Sequence, residues 1–245
     1  MPRLAAIMTT IANNLQTVQQ RLLHACTQAG RAPGSVQLLA VSKTFGVDAV
    51  AQAAAAGQVA FGENYLQEAV EKMALLQARG VAGLQWHCIG PVQSNKTRLV
   101  AEQFDWMHTV DRLKIAERLS AQRPAHRAPL QVCIQLNVDG GANKAGVAPD
   151  QALALAQAVA QLPGLVLRGV MSIPEWTVEF AAQKELHLRA KTVFEQILAA
   201  GGAGLQHFDT LSLGMTADLE AAVAAGSTLV RVGSGIFGAR APAPG

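Results

Sequence analysis

Residues Val36–Gly62 read VQLLAVSKTFGVDAVAQAAAAGQVAFG, and this stretch decides the fold. Val36–Ser42 is an apolar run of strand length. Val47–Ala56 keeps helical spacing, is rich in alanine, and stops at Gly57. Val59–Gly62 is a second short apolar run. Strand, helix and strand in succession make a βαβ unit, whose strands are parallel and whose crossover is right-handed.

Outward from this unit the alternation continues. The spacing predicts helices over Tyr65–Arg79, Ser94–Glu102, Arg112–Ala121, Pro149–Gln161, Val178–Ala200 and Ala217–Ala225. It predicts strands over Leu84–Gly90, Trp106–Val110, Leu130–Val138, Leu165–Met171, Thr210–Leu213 and Thr228–Val232, with a short helical turn near Ile236. Pro149 suits the first turn of its helix. Eight strands, nearly every one followed by a helix, predict an α/β fold: a single (β/α)8 TIM barrel. An open doubly wound sheet would need a glycine-rich phosphate turn after an early strand, and Val41–Gly46 (VSKTFG) is not GxGxxG. Before the first strand, Leu4–Ala29 places Ile7, Ile11, Leu15, Val18 and Leu22 on one helical face, an extra element outside the repeat. No linker divides the chain, so one domain is expected over residues 1–240, with a disordered tail at 241–245.

Half of the 245 residues are hydrophobic and only 15% are charged, which supplies a full core and argues against disorder. The net charge of +3 is spread without a basic stripe, so no nucleic-acid partner is expected. Cys26, Cys88 and Cys133 form no CxxC pair and no metal-ligand spacing. Cys88 and Cys133 sit in apolar runs as small buried hydrophobes, which fits a reduced, cytoplasmic compartment. Met1–Gly30 lacks the pattern of a secretory signal, and no unbroken apolar stretch of about twenty residues predicts a membrane span.

In such barrels the site lies at the C-terminal ends of the strands. Those ends carry Lys43, Glu63, Asn64, His87, Asn95, His108, Asn137, Ser172, Ser212, Gly214 and the run Arg231–Ser234. Lys43 ends a run of apolar residues, so its stem starts inside the barrel mouth. Desolvation would lower its pKa and supply the neutral amine that attacks an aldehyde. From position alone a surface lysine leaning outward is an equal reading. Val230–Arg240 (VRVGSGIFGAR) places Gly233-Ser234-Gly235 between the last strand and a short helix, where backbone N–H groups approach an anion. Ser212–Thr216 (SLGMT) follows the neighbouring strand and can close the same pocket. A lysine and a phosphate cradle around one mouth suit a phosphorylated aldehyde, either pyridoxal phosphate or a sugar phosphate in an aldolase.

The stretches Ala40–Lys43 (AVSK), Phe61–Glu68 (FGENYLQE), Trp86–Lys96 (WHCIGPVQSNK), Arg168–Pro174 (RGVMSIP), Leu211–Thr216 (LSLGMT) and Val230–Arg240 are long, ordered and jointly specific. Together they resemble the pyridoxal phosphate homeostasis protein family from about Leu39 to Arg240. The resemblance implies a fold-type III barrel like the N-terminal domain of alanine racemase, with pyridoxal 5′-phosphate (PLP) as cofactor. It implies that Lys43 is the Schiff-base lysine and that Asn64 lies near the cofactor ring. Ser212 and the Gly233-Ser234 backbone are implied to hold the phosphate. Arg231 is implied to face the pyridine nitrogen or to shape its environment, which would leave it unprotonated and weaken the ring as an electron sink. Ser234-Gly235 stand where the family often has Thr-Ala, Cys88 replaces an aromatic or aliphatic residue, and Asn137–Gly146 (NVDGGANKAG) keeps the family's lysine as Lys144 in an altered loop.

Two function classes follow from the resemblance. The first is a non-enzymatic PLP carrier of vitamin B6 and amino-acid balance, which supplies cofactor to PLP-requiring apo-enzymes. The second is a PLP-dependent amino-acid racemase. Two-base racemases need a partner opposite the lysine, which alanine racemase takes as a tyrosine from a second domain. Here the sole tyrosine is Tyr65 and the sequence stops after its barrel, which favours the carrier and a monomer. A Schiff-base aldolase ranks third. His87 and His108 are expected as satisfied core histidines, Glu63 as a base or an ion-pair partner, and the three tryptophans as packing residues. An alternative expectation for Trp176, in a loop after Pro174, is that it lines the mouth. No metal is expected.

Overall fold

The structure, a computed structural model, describes residues 2–140 and 145–238; Lys144 and the tail at 241–245 lie outside the described residues. Eight parallel strands close into a barrel in chain order. They are β1 (Gln37–Val41), β2 (Ala60–Glu63), β3 (Gln85–Cys88), β4 (Trp106–Val110), β5 (Leu130–Leu136), β6 (Leu165–Ser172), β7 (Thr210–Ser212) and β8 (Leu229–Val232). β8 pairs with β1, with Leu39 opposite Arg231, and this pairing closes the cylinder.

Around the barrel run α2 (Val47–Ala55), α3 (Leu66–Ala78), α4 (Thr97–Gln103), α5 (Leu113–Gln122), α6 (Pro149–Ala160), α7 (Phe180–Ala200) and α8 (Leu219–Ala225), and a single turn, α9 (Ser234–Phe237), follows β8. The extra helix α1 (Pro2–Gln28) precedes them. Of the helix starts that differ from the sequence reading, two have a clear local cause. Ser94–Lys96 is a 3-10 turn ahead of α4, tightened where the Thr97 hydroxyl donates to the Ser94 carbonyl at 2.9 Å. α8 begins at Leu219 rather than Ala217 because the Asp218 carboxylate is taken by the Met215 N–H at 2.6 Å, which folds residues 215–218 into a loop.

Side chains on a strand alternate between faces. Leu39, Val41, Ile89 and Leu229 form one small cluster inside the barrel, and Trp106, Cys133 and Met171 form another. Their neighbours Ala40, Cys88, Met107, Val230 and Val232 point the other way, into the large core under the helices. Carried one step past each strand end, the inward row reaches Lys43 after β1 and Gly233 after β8. The interior also holds a polar layer of His87, His108, Ser212 and Arg231, all buried.

α1 packs against α2, α8 and α9. Ile11, Leu15, Val18 and Leu22 are buried there, while the side chain of Ile7 lies outside the described residues. Each such side chain contributes about 1.5–3 kcal/mol by leaving water. Among the described residues no helix is long and apolar enough to cross a membrane.

Candidate functional site

A cavity of about 310 Å³ opens at the C-terminal ends of the strands. That size is at the small end of ligand sites, which run from about 300 to 1,000 Å³. Lys43, Asn64, Arg231, Gly233 and Ser234 all line it, together with Thr216. Five of the six residues expected to bind cofactor therefore meet around one space. The sixth, Ser212, does not line it. Among the other strand-end residues Asn95, Asn137 and Ser172 also stay off the wall, and so does Trp176, an exposed loop residue; Ile173 lines the mouth instead.

Lys43 sits in a turn held on both sides. Before it, the Ser42 carbonyl accepts from the Lys72 ammonium at 3.0 Å, and the Ser42 hydroxyl donates to Glu63 Oε1 at 2.6 Å. After it, the Thr44 N–H donates to Glu68 Oε1 at 3.0 Å. Thr44 has φ +70°, and among the described residues no other non-glycine residue has a positive φ. A β-branched residue there is strained, and such strain persists only where the surroundings enforce it. The enforcing group is Lys72, whose ammonium also reaches Glu63 Oε1 at 2.6 Å and Glu68 Oε1 at 3.1 Å. Its three donors are thereby spent on three acceptors. Burial pushes the Glu63 carboxyl above its usual range, and Lys72 offsets this only in part, since Glu63 Oε2 is buried without a partner among the described residues. Glu63 is thus an ion-pair partner on the helix-facing side of β2, and the next residue, Asn64, faces the cavity. Asn64 Oδ1 is likewise buried with no partner among the described residues.

Arg231 supplies the fixed cation of the cavity. It is 3% exposed. Its Nη1 donates to the Ser212 carbonyl at 2.6 Å and to the Ser212 hydroxyl at 2.7 Å, and its Nη2 donates to the Ser172 carbonyl at 2.9 Å. Burial pulls its pKa down to about 10, opposed by the charge of Asp218, so it stays charged at neutral pH. Ser212 lies behind it, fully buried, its hydroxyl also bonded to His108 Nδ1 at 2.9 Å. Ser212 thus meets the cavity wall through Arg231, which bonds both its carbonyl and its hydroxyl.

The loops after β7 and β8 form the remaining wall. Ser234 Oγ donates to Thr216 Oγ1 at 3.2 Å, which joins the two loops. The first turn of α9 leaves its leading N–H groups without helical acceptors. Gly233 packs tightly on β1: a Cβ there would lie 3.2 Å from the Val41 carbonyl oxygen. Gly214 has φ +86°, and a Cβ on it would lie 2.4 Å from that of Ala222. α1 braces both loops, since Arg21 donates to the Thr216 carbonyl at 2.8 Å and Asn14 donates to the Ile236 carbonyl at 3.0 Å. Asp218 anchors the β7 loop, bonded to His187 Nε2 at 2.9 Å. Burial acts to raise the Asp218 pKa, but its bonds from His187 and the Met215 N–H outweigh this and hold it below the usual carboxylate range.

The chain matches the family described as alanine racemase, N-terminal domain, over residues 8–241. The pyridoxal phosphate homeostasis protein of Escherichia coli K12 is 52% identical to it over 237 residues, 95% of this chain and 98% of that protein. The chain belongs to the pyridoxal phosphate homeostasis protein family. PipY of Synechococcus elongatus, solved with PLP bound, superposes with a TM-score of 0.80 at 35% identity, covering 93% of this chain and all (100%) of PipY. Alanine racemase of Corynebacterium glutamicum shares the fold at 16% identity, with a TM-score of 0.68 over 96% of this chain and 62% of the racemase.

In this family member the sequence reading missed Lys72, although its spacing from Ala69 and Leu76 puts it on the buried face of α3. Thr216 was named only as part of a loop. His87 and His108 are buried and hydrogen-bonded to each other at 2.9 Å, as core histidines were expected to be. The sole tyrosine, Tyr65, is exposed and does not line the cavity with Lys43. Among the described residues no cluster of His, Cys, Asp or Glu is arranged to hold a metal.

Proposed function

We propose that this protein holds pyridoxal 5′-phosphate in the barrel mouth, with Lys43 as its covalent anchor, and serves as a cytoplasmic PLP carrier that supplies apo-enzymes. The observation that carries the reading is the convergence of Lys43, Asn64, Arg231, Gly233 and Ser234 on one small cavity. The residues fit the group: a phosphate suits the Gly233-Ser234 turn with the Thr216 hydroxyl, and the bare Asn64 Oδ1 awaits a donor. When bound, the cofactor supplies an aldehyde that condenses with a lysine amine and releases water. The names of the family's members and the PLP-bound relative support the same assignment.

Each side chain has a distinct task. The Lys72 clamp holds the Lys43 turn in its strained form. Arg231 places a permanent cation in the wall, which disfavours a second positive charge on any base bound against it. Such a ring is a poor electron sink, which suits storage better than turnover. Ser212 serves the site through Arg231. Tyr65, away from the cavity, supplies no second base, so the carrier reading is favoured over a racemase. The chain acts as one barrel domain over residues 1–240 and as a monomer in this proposal.

The test is the absorbance spectrum of the purified protein before and after borohydride, with mapping of the labelled peptide. A visible band that borohydride removes, with the label on Lys43, is expected. Lys43→Ala should lose the label and keep the wild-type thermal midpoint. A wild-type level of reducible adduct in Lys43→Ala would sink the assignment.

A further inference from the structure

A chain of hydrogen bonds crosses the barrel from Arg231 to the opposite end. A guanidinium carries donors only. Arg231 Nη1 donates to Ser212 Oγ at 2.7 Å, and His108 Nδ1, at 2.9 Å, is the acceptor that the described residues offer the Ser212 proton, so that proton goes to His108. His108 must then carry its own proton on Nε2 and donate it to His87 Nδ1 at 2.9 Å. His87 in turn carries its proton on Nε2 and donates to Gln85 Oε1 at 3.0 Å. One proton arrangement satisfies all five residues, fixed at one end by the donor-only Arg231 and at the other by Gln85 Oε1, which only accepts.

The middle of this chain is sealed. Ser212, His87 and His108 are fully buried, while Gln85 is exposed at the start of β3. Trp106 stacks on His87 with ring centroids 5.1 Å apart and planes within 8°. Burial pushes His87 down to about 3 and His108 well below its usual value, so both rings are neutral, as the arrangement requires.

We propose that His108 is a positioning residue for Arg231, and that the relay Arg231–Ser212–His108–His87–Gln85 sets the direction of the cavity's cation from inside the barrel. The relay commits the Ser212 hydroxyl inward, so Ser212 has no proton for an anion in the cavity. Phosphate recognition is left to Thr216, Ser234 and the backbone around them. Its consequence for cofactor binding rests on the function proposed above; its existence does not.

The experiment therefore begins on cofactor-free protein labelled with 15N-histidine. NMR should show His87 and His108 as neutral Nε2–H tautomers throughout the neutral pH range. An Nδ1–H tautomer on His108, or either ring taking charge in that range, would overturn the relay. On the same footing, His108→Phe removes the acceptor for Ser212 and the donor for His87. It should weaken pyridoxal phosphate binding about tenfold, the equivalent of one good buried hydrogen bond, and move the visible band of the bound chromophore. His108→Gln, which offers an acceptor and a donor on one amide, should restore both. A folded His108→Phe protein with wild-type affinity and an unmoved band would overturn the positioning role. Should His108→Phe fail to fold, the wild-type tautomers decide. Wild-type protein that binds no pyridoxal phosphate would refute the carrier reading and leave the tautomers to decide the relay.

Discussion

The Lys72 ammonium donates to the Ser42 carbonyl at 3.0 Å, one residue before Lys43, from a side chain only 4% exposed. The same ammonium pairs with Glu63, which is fully buried. Removing one partner of a buried ion pair leaves the other charge uncompensated. Lys72→Met should cost about 3–5 kcal/mol by urea unfolding. The double variant Lys72→Met/Glu63→Gln should recover part of that loss. Equal midpoints for wild type and Lys72→Met would refute the clamp.

Ser234 belongs to the wall where phosphate is proposed to sit, with its hydroxyl 3.2 Å from that of Thr216. Ser234→Ala should weaken pyridoxal phosphate binding by about 0.5–1.5 kcal/mol, the net worth of one ordinary hydrogen bond. Pyridoxal without its phosphate should bind the variant and wild type alike. Calorimetric titration with both ligands checks this, and an equal loss for pyridoxal would move Ser234 away from the phosphate.

Asp218 sets a pH dependence. Its carboxyl is held below the usual range in the folded protein, chiefly by bonds that outweigh the opposing effect of burial. A group whose folded pKa is depressed stabilises the fold above its unfolded pKa, and that contribution is lost as pH falls through the folded value. Asp218→Asn should cost about 1.5–3 kcal/mol at neutral pH, the range for hydrogen bonds to a charged group. The gap from wild type should close in acid, where the wild-type carboxyl is protonated too. Thermal midpoints of both proteins across pH measure this; a gap of constant size would show that the charge of Asp218 plays no part.

Cys88 and Cys133 are buried, and burial pushes both thiols up to about 12. The thiolate is the reactive form. Both should resist alkylation in native protein at neutral pH and react fully once urea unfolds it. Fast labelling of either in native protein, located by mass spectrometry, would contradict the packing around β3 and β5.

The barrel was legible because its signals are local. The short apolar runs predict every strand to within about two residues at most ends, since strand and helix each impose their own period on neighbouring side chains. Lys43 and Gly233 were legible as candidates because each stands just past a strand end, and both line the cavity. The division between Glu63, turned to Lys72, and Asn64, turned to the cavity, fits alternation along β2 but was not read from the sequence.

What tertiary structure alone decided is which polar group meets which. His87 and His108 are neighbours only because β3 pairs with β4 in one register, with His87 opposite Trp106. Lys72 shares a helical face with Ala69 and Leu76, and it becomes a buried clamp because α3 lays that face over Glu63 and the Ser42 carbonyl. Ser212 stands at a strand end, where phosphate binding was expected, and closure of β8 onto β1 brings Arg231 onto its carbonyl and hydroxyl. The chain's periodicity determined the barrel and the rim of its site, because backbone geometry acts over a few residues. The direction of each hydrogen bond within that site was settled by strand register and barrel closure, because a buried donor takes whichever acceptor the fold brings within about 3 Å.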